Sequence, residues 1–137
     1  MVTTGYSGTP LLKKLGITDN MRVLLIHAPE NYFELLEKNI TEQFCKKNEQ
    51  PDFIHLFAKT KKIFETEMSK LKSLKPTTSI WVSWYKKSAG IPTDITEDVI
   101  RNYALQNDLV DVKVCAVSDV WSGLKLVTPV AKRPKSG

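Results

Sequence analysis

The chain has 137 residues, 42% of them hydrophobic and 26% charged, a balance that suits one globular domain and excludes a disordered or fibrous polymer. Its two cysteines, Cys45 and Cys115, are too few for a disulfide framework, and no further ligands stand at zinc spacing. The net charge is +5, but Lys132, Arg133 and Lys135 carry three of those charges near the end, and without them the balance of +2 argues against a broad polyanion-binding surface.

We read residues 1–130 as one α/β domain and 131–137 as a basic, disordered tail. The first residues show no basic flank followed by an apolar stretch, and no run is long enough to span a bilayer, so the cytoplasm is the expected location. Gly5-Tyr6-Ser7-Gly8 reads as a loop. Thr9 and Pro10 can then open a short helix over Leu11 to Leu15, which Gly16 stops. Met21 to His27 is an apolar run without alternation, the pattern of a strand covered on both faces. Pro29 can open a helix over Tyr32, Phe33, Leu35 and Leu36. Ile40 to Gln50 is ambiguous, with a short edge strand near Phe44 as one reading.

Phe53 to Phe57 is the second clear strand. Thr60 to Leu74 follows as a helix with Phe64, Met68 and Leu71 on its apolar side. Ser79 to Trp84 is the third strand. Asp94, with Glu97 three residues on, has the pattern of a capping box opening the next helix, whose apolar face is Ile95, Val99 and Tyr103. Val110 to Val117 is the fourth strand and Leu124 to Val127 the fifth. The first three links are long enough for crossovers, so strands one to four should run parallel. The link from Ser118 to Gly123 is too short, so the fifth strand should return antiparallel.

That ending resembles the back half of the class I methyltransferase fold. The chain as a whole resembles the bacterial domain of unknown function 3052 family. The resembling segments are Gly5 to Leu11, Met21 to Pro29, Trp81-Val82-Ser83-Trp84 with Lys86-Lys87, Pro92 to Asp98, and Val110 to Leu126. The resemblance implies a Rossmann-like three-layer α/β sandwich of about five strands, mostly parallel with an antiparallel C-terminal strand. It implies no activity. The chain also departs from working methyltransferases, which carry a glycine-rich turn after the first strand for close approach to the cofactor. Here that turn is His27-Ala28-Pro29-Glu30-Asn31, without a glycine, and Glu30 would repel an anion.

In open parallel sheets ligands bind beyond the carboxyl ends of the strands. Those ends offer His27 and Asn31, then Lys59, then Trp84 with Lys86 and Lys87, and Trp121 in the closing hairpin. The lysines could hold a phosphate or nucleotide, although loop lysines are also ordinary solvated surface. His27 could be a general base, with Glu30 and Asp119 as conceivable partners, or a structural residue bonded to backbone. His55 and Cys115 read as mid-strand core. Trp81 and Trp84 must face opposite sides of their strand, and Trp121 is the best candidate for an exposed, stacking ring. An exposed Trp121 or Phe57 could instead mark a dimer face. Asp94, Glu97 and Asp98 are explained by helix capping. Ser7 lies in no nucleophile elbow.

The expected function is non-catalytic: binding of a small anion or nucleotide, or of a protein partner. The alternatives are a divergent S-adenosylmethionine-dependent methyltransferase and a nucleic-acid binder using the basic tail. No catalytic residue, cofactor or metal site is expected.

Overall fold

A computed structural model describes residues 10–71 and 74–129. The loop over Gly5 to Gly8, the cap at Thr9 and the basic tail lie outside the described residues. Helix α1 spans Leu11–Leu15 and stops where Gly16 turns left-handed at φ 80°, a conformation glycine adopts without steric cost. Strand β1 (Val23–Ile26), helix α2 (Tyr32–Leu36) and strand β2 (Phe53–Phe57) follow. Next come helix α3 (Lys61–Lys70), strand β3 (Ser79–Tyr85), helix α4 (Glu97–Gln106), strand β4 (Val110–Ala116) and strand β5 (Trp121–Val127).

The strand order is β1-β2-β3-β5-β4. β1, β2 and β3 pair in parallel. β5 inserts between β3 and β4 and is antiparallel to both, so β4 runs in the direction of the first three. The sheet is the mostly parallel one expected, with its last strand reversed. All five residues of β2 are buried, which is why it shows no alternation: apolar layers cover both faces. On one face Leu11 and Leu15 of α1 join Tyr32 and Leu36 of α2 around Phe53, Phe57 and Trp81. On the other, Phe64 and Met68 of α3 meet Ile100 and Ala104 of α4 over Ile54, Val82 and Trp84.

The ambiguous stretch holds a 3₁₀ turn at Thr41–Gln43 and one parallel bridge from Phe44 to Val23, on the side of β1 away from β2. The Cys45 N–H bonds the Val23 carbonyl at 2.8 Å. The chain therefore leaves β1 through α2 to one side and returns to β2 on the other. α2 and α3 lie on opposite faces, so the loops leaving β1 and β2 diverge, which makes this pair the topological switch point of the sheet.

Several boundaries differ from the sequence reading. α3 ends at Lys70, because Leu71 leaves helical geometry at φ −90°, ψ 72°. α4 begins at Glu97, and its N-cap is Thr96, whose hydroxyl accepts from the Val99 N–H at 3.2 Å. The Asp94 carboxylate instead accepts from the Lys61 N–H at 2.7 Å and so helps cap α3. Ile100 and Ala104 form the fully buried stripe of α4, while Val99 and Tyr103 pack beside it. Strand β5 begins at Trp121, three residues earlier than expected.

Gly123 lies where β5 passes Trp81. A Cβ there would stand 3.0 Å from Val117 Cγ2 and 3.2 Å from Trp81 Cε3. Gly123→Ala is expected to destabilise the fold by about 1–3 kcal/mol through overpacking. Denaturant melts check this; a loss below about 0.5 kcal/mol, the range of an inconsequential surface change, would mean the indole yields freely.

Candidate functional site

Beyond the carboxyl end of β3 the chain makes an extended step at Lys86, a 3₁₀ turn at Lys87–Ala89 and a left-handed exit at Gly90. The Lys86 N–H bonds the Val120 carbonyl at 2.8 Å, fixing this step to the β4–β5 turn. Farther on, the Thr93 hydroxyl donates to the Lys59 carbonyl at 2.9 Å, and Asp94 holds the start of α3. The loop is thus tied at both ends, and it walls a cleft of about 1060 Å³. Trp84, Lys86, Lys87, Thr93, Thr96 and Ser122 line this cleft.

Glu97 and Asp98 also face it, but Arg101 engages both. The Arg101 guanidinium donates to Glu97, to Asp98 at 2.8 Å and to Asp111 at 3.1 Å, and these bonds, Glu97 first, raise its pKa further. One guanidinium thus ties down three carboxylates without cancelling their charge. Lys86 and Lys87 have no carboxylate partner among the described residues. Basic groups that do include Arg22, Lys38, Lys70, Lys75 and Arg101. A smaller cavity of about 490 Å³ opens at the opposite edge of the sheet, beside Met68, Tyr103 and Leu109. It lies at the amino ends of the parallel strands, where open α/β sheets do not place their ligands.

The seven candidate residues divide accordingly. Trp84, Lys86 and Lys87 line the cleft, and Lys59 stands exposed on the adjoining turn, joined to it through Thr93. Trp84 is itself only 8% exposed, so it offers the cleft an edge rather than a stacking face. Trp121 is not the exposed ring expected of a hairpin: it belongs to β5, stacks on Tyr85 at 4.5 Å and meets Phe57 edge-on at 5.0 Å. Both Trp121 and Phe57 are buried, so neither marks a dimer face. Asn31 precedes α2 with its side chain exposed and making no cap bond.

His27 is exposed, and its partner is neither backbone, Glu30 nor Asp119 but Glu67 of α3, with Nε2 2.9 Å from Oε2. That bond is the first cause holding the Glu67 carboxyl below its usual pKa. Forty positions separate the two residues, and nothing local in the sequence links them.

His55 is core, as read, but it also carries a network the sequence did not reveal. Its Nδ1 lies 2.8 Å from the Tyr32 hydroxyl and its Nε2 2.7 Å from the Ser83 hydroxyl. Phe57 stacks on the ring at 4.2 Å. All three polar residues are buried. Burial lowers the imidazole pKa to about 3 and pushes the Tyr32 phenol well above its usual value. Ser83 and His55 are residue types of a nucleophile and its base, yet no carboxylate orients the ring, all three residues are buried, and each ring nitrogen is satisfied in either tautomer. Cys115 is half-buried on β4, and burial raises its thiol pKa against the lowering effect of Lys14 and Lys113, the reverse of what a reactive thiol needs.

No family model matches the chain, and no curated protein does. Among solved structures, a protein in the NADB-Rossmann superfamily from Streptococcus agalactiae aligns over 96% of this chain and 72% of its own, with TM-score 0.56 and 11% identity. An uncharacterized protein from Listeria monocytogenes serotype 4b aligns over the same shares with TM-score 0.55 and 14% identity. The fold is Rossmann-like. In this Rossmann-like sheet the cleft over β3 and the exposed His27 lie along the carboxyl edge, where such folds place ligands. No described helix is long and apolar enough to cross a membrane.

Proposed function

We propose that this protein binds a small anionic ligand, a phosphate-bearing molecule of nucleotide size, in the cleft beyond β3. One observation carries the reading: Lys86 and Lys87 line a cleft of about 1060 Å³ at the ligand-bearing edge of the sheet, neither in an ion pair among the described residues, while the cleft's carboxylates, Glu97 and Asp98, are held by Arg101. A cleft of that size accommodates such a ligand, and the desolvating wall formed by Trp84 and the loop strengthens an ammonium–phosphate contact over its value in open water. Membership of the bacterial domain of unknown function 3052 family and a cytoplasmic location belong to the same proposal. The Rossmann-like fold with its reversed last strand is consistent with both, as it is with a divergent methyltransferase. Against the methyltransferase stands the turn after β1, where Pro29 removes a donor and Glu30 adds negative charge.

The test is a thermal-shift panel at low salt with nucleotides, phosphate, S-adenosylmethionine and a short RNA. A ligand at about a hundred times its Kd adds roughly 2.7 kcal/mol and raises Tm by several degrees. Nucleotides are expected to shift the parent and to lose most of that shift in Lys86→Ala, Lys87→Ala, whose own Tm stays near the parent's. An equal shift in both proteins would put the anion elsewhere. A shift with the methyl donor alone would favour the methyltransferase, and one with RNA alone the nucleic-acid reading.

A further inference from the structure

His27 follows a strand whose side chains alternate strictly. Val23 and Leu25 pack on the α1–α2 face, Leu24 and Ile26 on the α3–α4 face. Alternation would send residue 27 to the α1–α2 face. Its backbone instead turns left-handed at φ 57°, and the imidazole reaches Glu67 on the opposite face. The two other left-handed non-glycine residues among the described residues, Glu37 and Asp108, lie at or just past the end of a helix, where this geometry satisfies the last carbonyls. His27 has no such local reason for it, and a non-glycine residue there carries a conformational cost. What the turn accomplishes is the pairing with Glu67.

That pairing leaves a defined reactive atom. Glu67 is largely covered, its side chain 16% exposed, while the His27 side chain is 54% exposed. The carboxylate can only accept, so Nε2 carries the hydrogen, and in the neutral ring the lone pair lies on Nδ1. Lys70, 3.7 Å from the same Glu67 oxygen, holds the carboxylate ionised. A histidine oriented by a largely covered carboxylate, with its second nitrogen open, is the arrangement by which a side chain accepts a proton and has the resulting imidazolium stabilised. It stands at the carboxyl end of β1, beside the switch point of the sheet.

We propose that His27 and Glu67 form a proton-accepting dyad, open to solvent at the carboxyl end of β1, that serves a small molecule carrying a hydroxyl or thiol. The O–H or S–H bond breaks, its proton passes to Nδ1 of His27, the electron pair stays on the ligand oxygen or sulfur, and Glu67 balances the new positive charge. The dyad stands on its own geometry and does not depend on the cleft beyond β3.

The chain has two histidines, and the other is wholly buried, so diethyl pyrocarbonate reports on His27 alone in the folded protein. The parent is expected to show one histidine modified faster than N-acetylhistidine at pH near 8, with His55 reacting only after denaturation. His27→Gln removes that reaction and confirms its assignment. Glu67→Gln is expected to slow it, because the amide no longer fixes the Nε2–H tautomer or stabilises the charge that develops on the ring. Long-range ¹H–¹⁵N spectra should show the Nε2–H tautomer at His27 in the parent and a mixed population in Glu67→Gln. Unchanged or faster modification of Glu67→Gln, with the protein still folded by circular dichroism, would reduce the pair to a surface ion pair and overturn the proposal.

Discussion

Between about pH 6.5 and pH 4.5 the folded chain is expected to lose roughly 2–3 kcal/mol of unfolding free energy to His55 alone. In the unfolded chain an imidazole takes up a proton near its ordinary value of 6.5, whereas burial defers protonation in the fold to about 3. Throughout that interval the unfolded state binds more protons, so stability falls as pH falls. Above 6.5 neither state is protonated and the residue adds no pH dependence. The carboxylates held low in the fold, Asp19 by Lys38 and Glu67 by His27, act in the same direction but mainly at lower pH. The hydrogen bonds to Tyr32 and Ser83 do not rescue a charged ring, because an imidazolium must donate at both nitrogens inside an apolar shell of Phe53 and Phe57. Denaturant unfolding at the two pH values measures the effect. His55→Asn should lose the slope, whatever its lower starting stability. A parent with no slope would mean that protons reach the ring in the native state.

Trp81→Ala is expected to remove about 3–5 kcal/mol, the scale of emptying a fully buried indole site. Trp81 is 0% exposed at the centre of the α1–α2 layer. Its Nε1–H also donates to the Leu15 carbonyl at 3.0 Å, at the end of α1. A five-residue helix has no stability of its own, so α1 depends on such docking. Trp81→Phe separates the two contributions. It retains most of the apolar contact but leaves the Leu15 carbonyl without its indole donor, at about 1–3 kcal/mol. Hydrogen exchange along α1 should then accelerate more than exchange in β2. Equal acceleration in both would show that the indole supports the core generally and does not secure α1.

The strands were legible because each is a local pattern. Phe53 to Phe57 is apolar but for His55 and is buried throughout, and β1 and β3 are likewise short, predominantly apolar runs without alternation. Strand directions followed from link length, since a six-residue link cannot house a crossover. The helices were located correctly but trimmed at their ends. At α4 the pattern beginning at Asp94 was misleading, because Asp and Thr both cap helices. Only the approach of the α3 N-terminus decides that Asp94 serves Lys61 while Thr96 serves Val99. Ile100 and Ala104 were missed as the buried stripe because alanine contributes little to an apolar pattern.

The candidate site was legible in part for the same reason. Lys86 and Lys87 are placed by the end of β3, a feature within a few residues of them. Trp121 was misplaced because the exposure of a ring depends on what crosses it, here Tyr85 and Phe57 from two other strands. Glu67 and the Tyr32–His55–Ser83 chain were invisible, since their partners stand 23 to 40 positions apart. The sequence by itself determined the α/β class, the parallel run with its reversed last strand, and lysines at the carboxyl edge. These depend on periodicity, link length and the residues that end each strand. The tertiary structure alone decided which histidine is open and which is sealed, which carboxylates are already spent on Arg101, and where the cleft lies. Those outcomes depend on side chains brought together across the sheet, and no spacing along the chain encodes their distances.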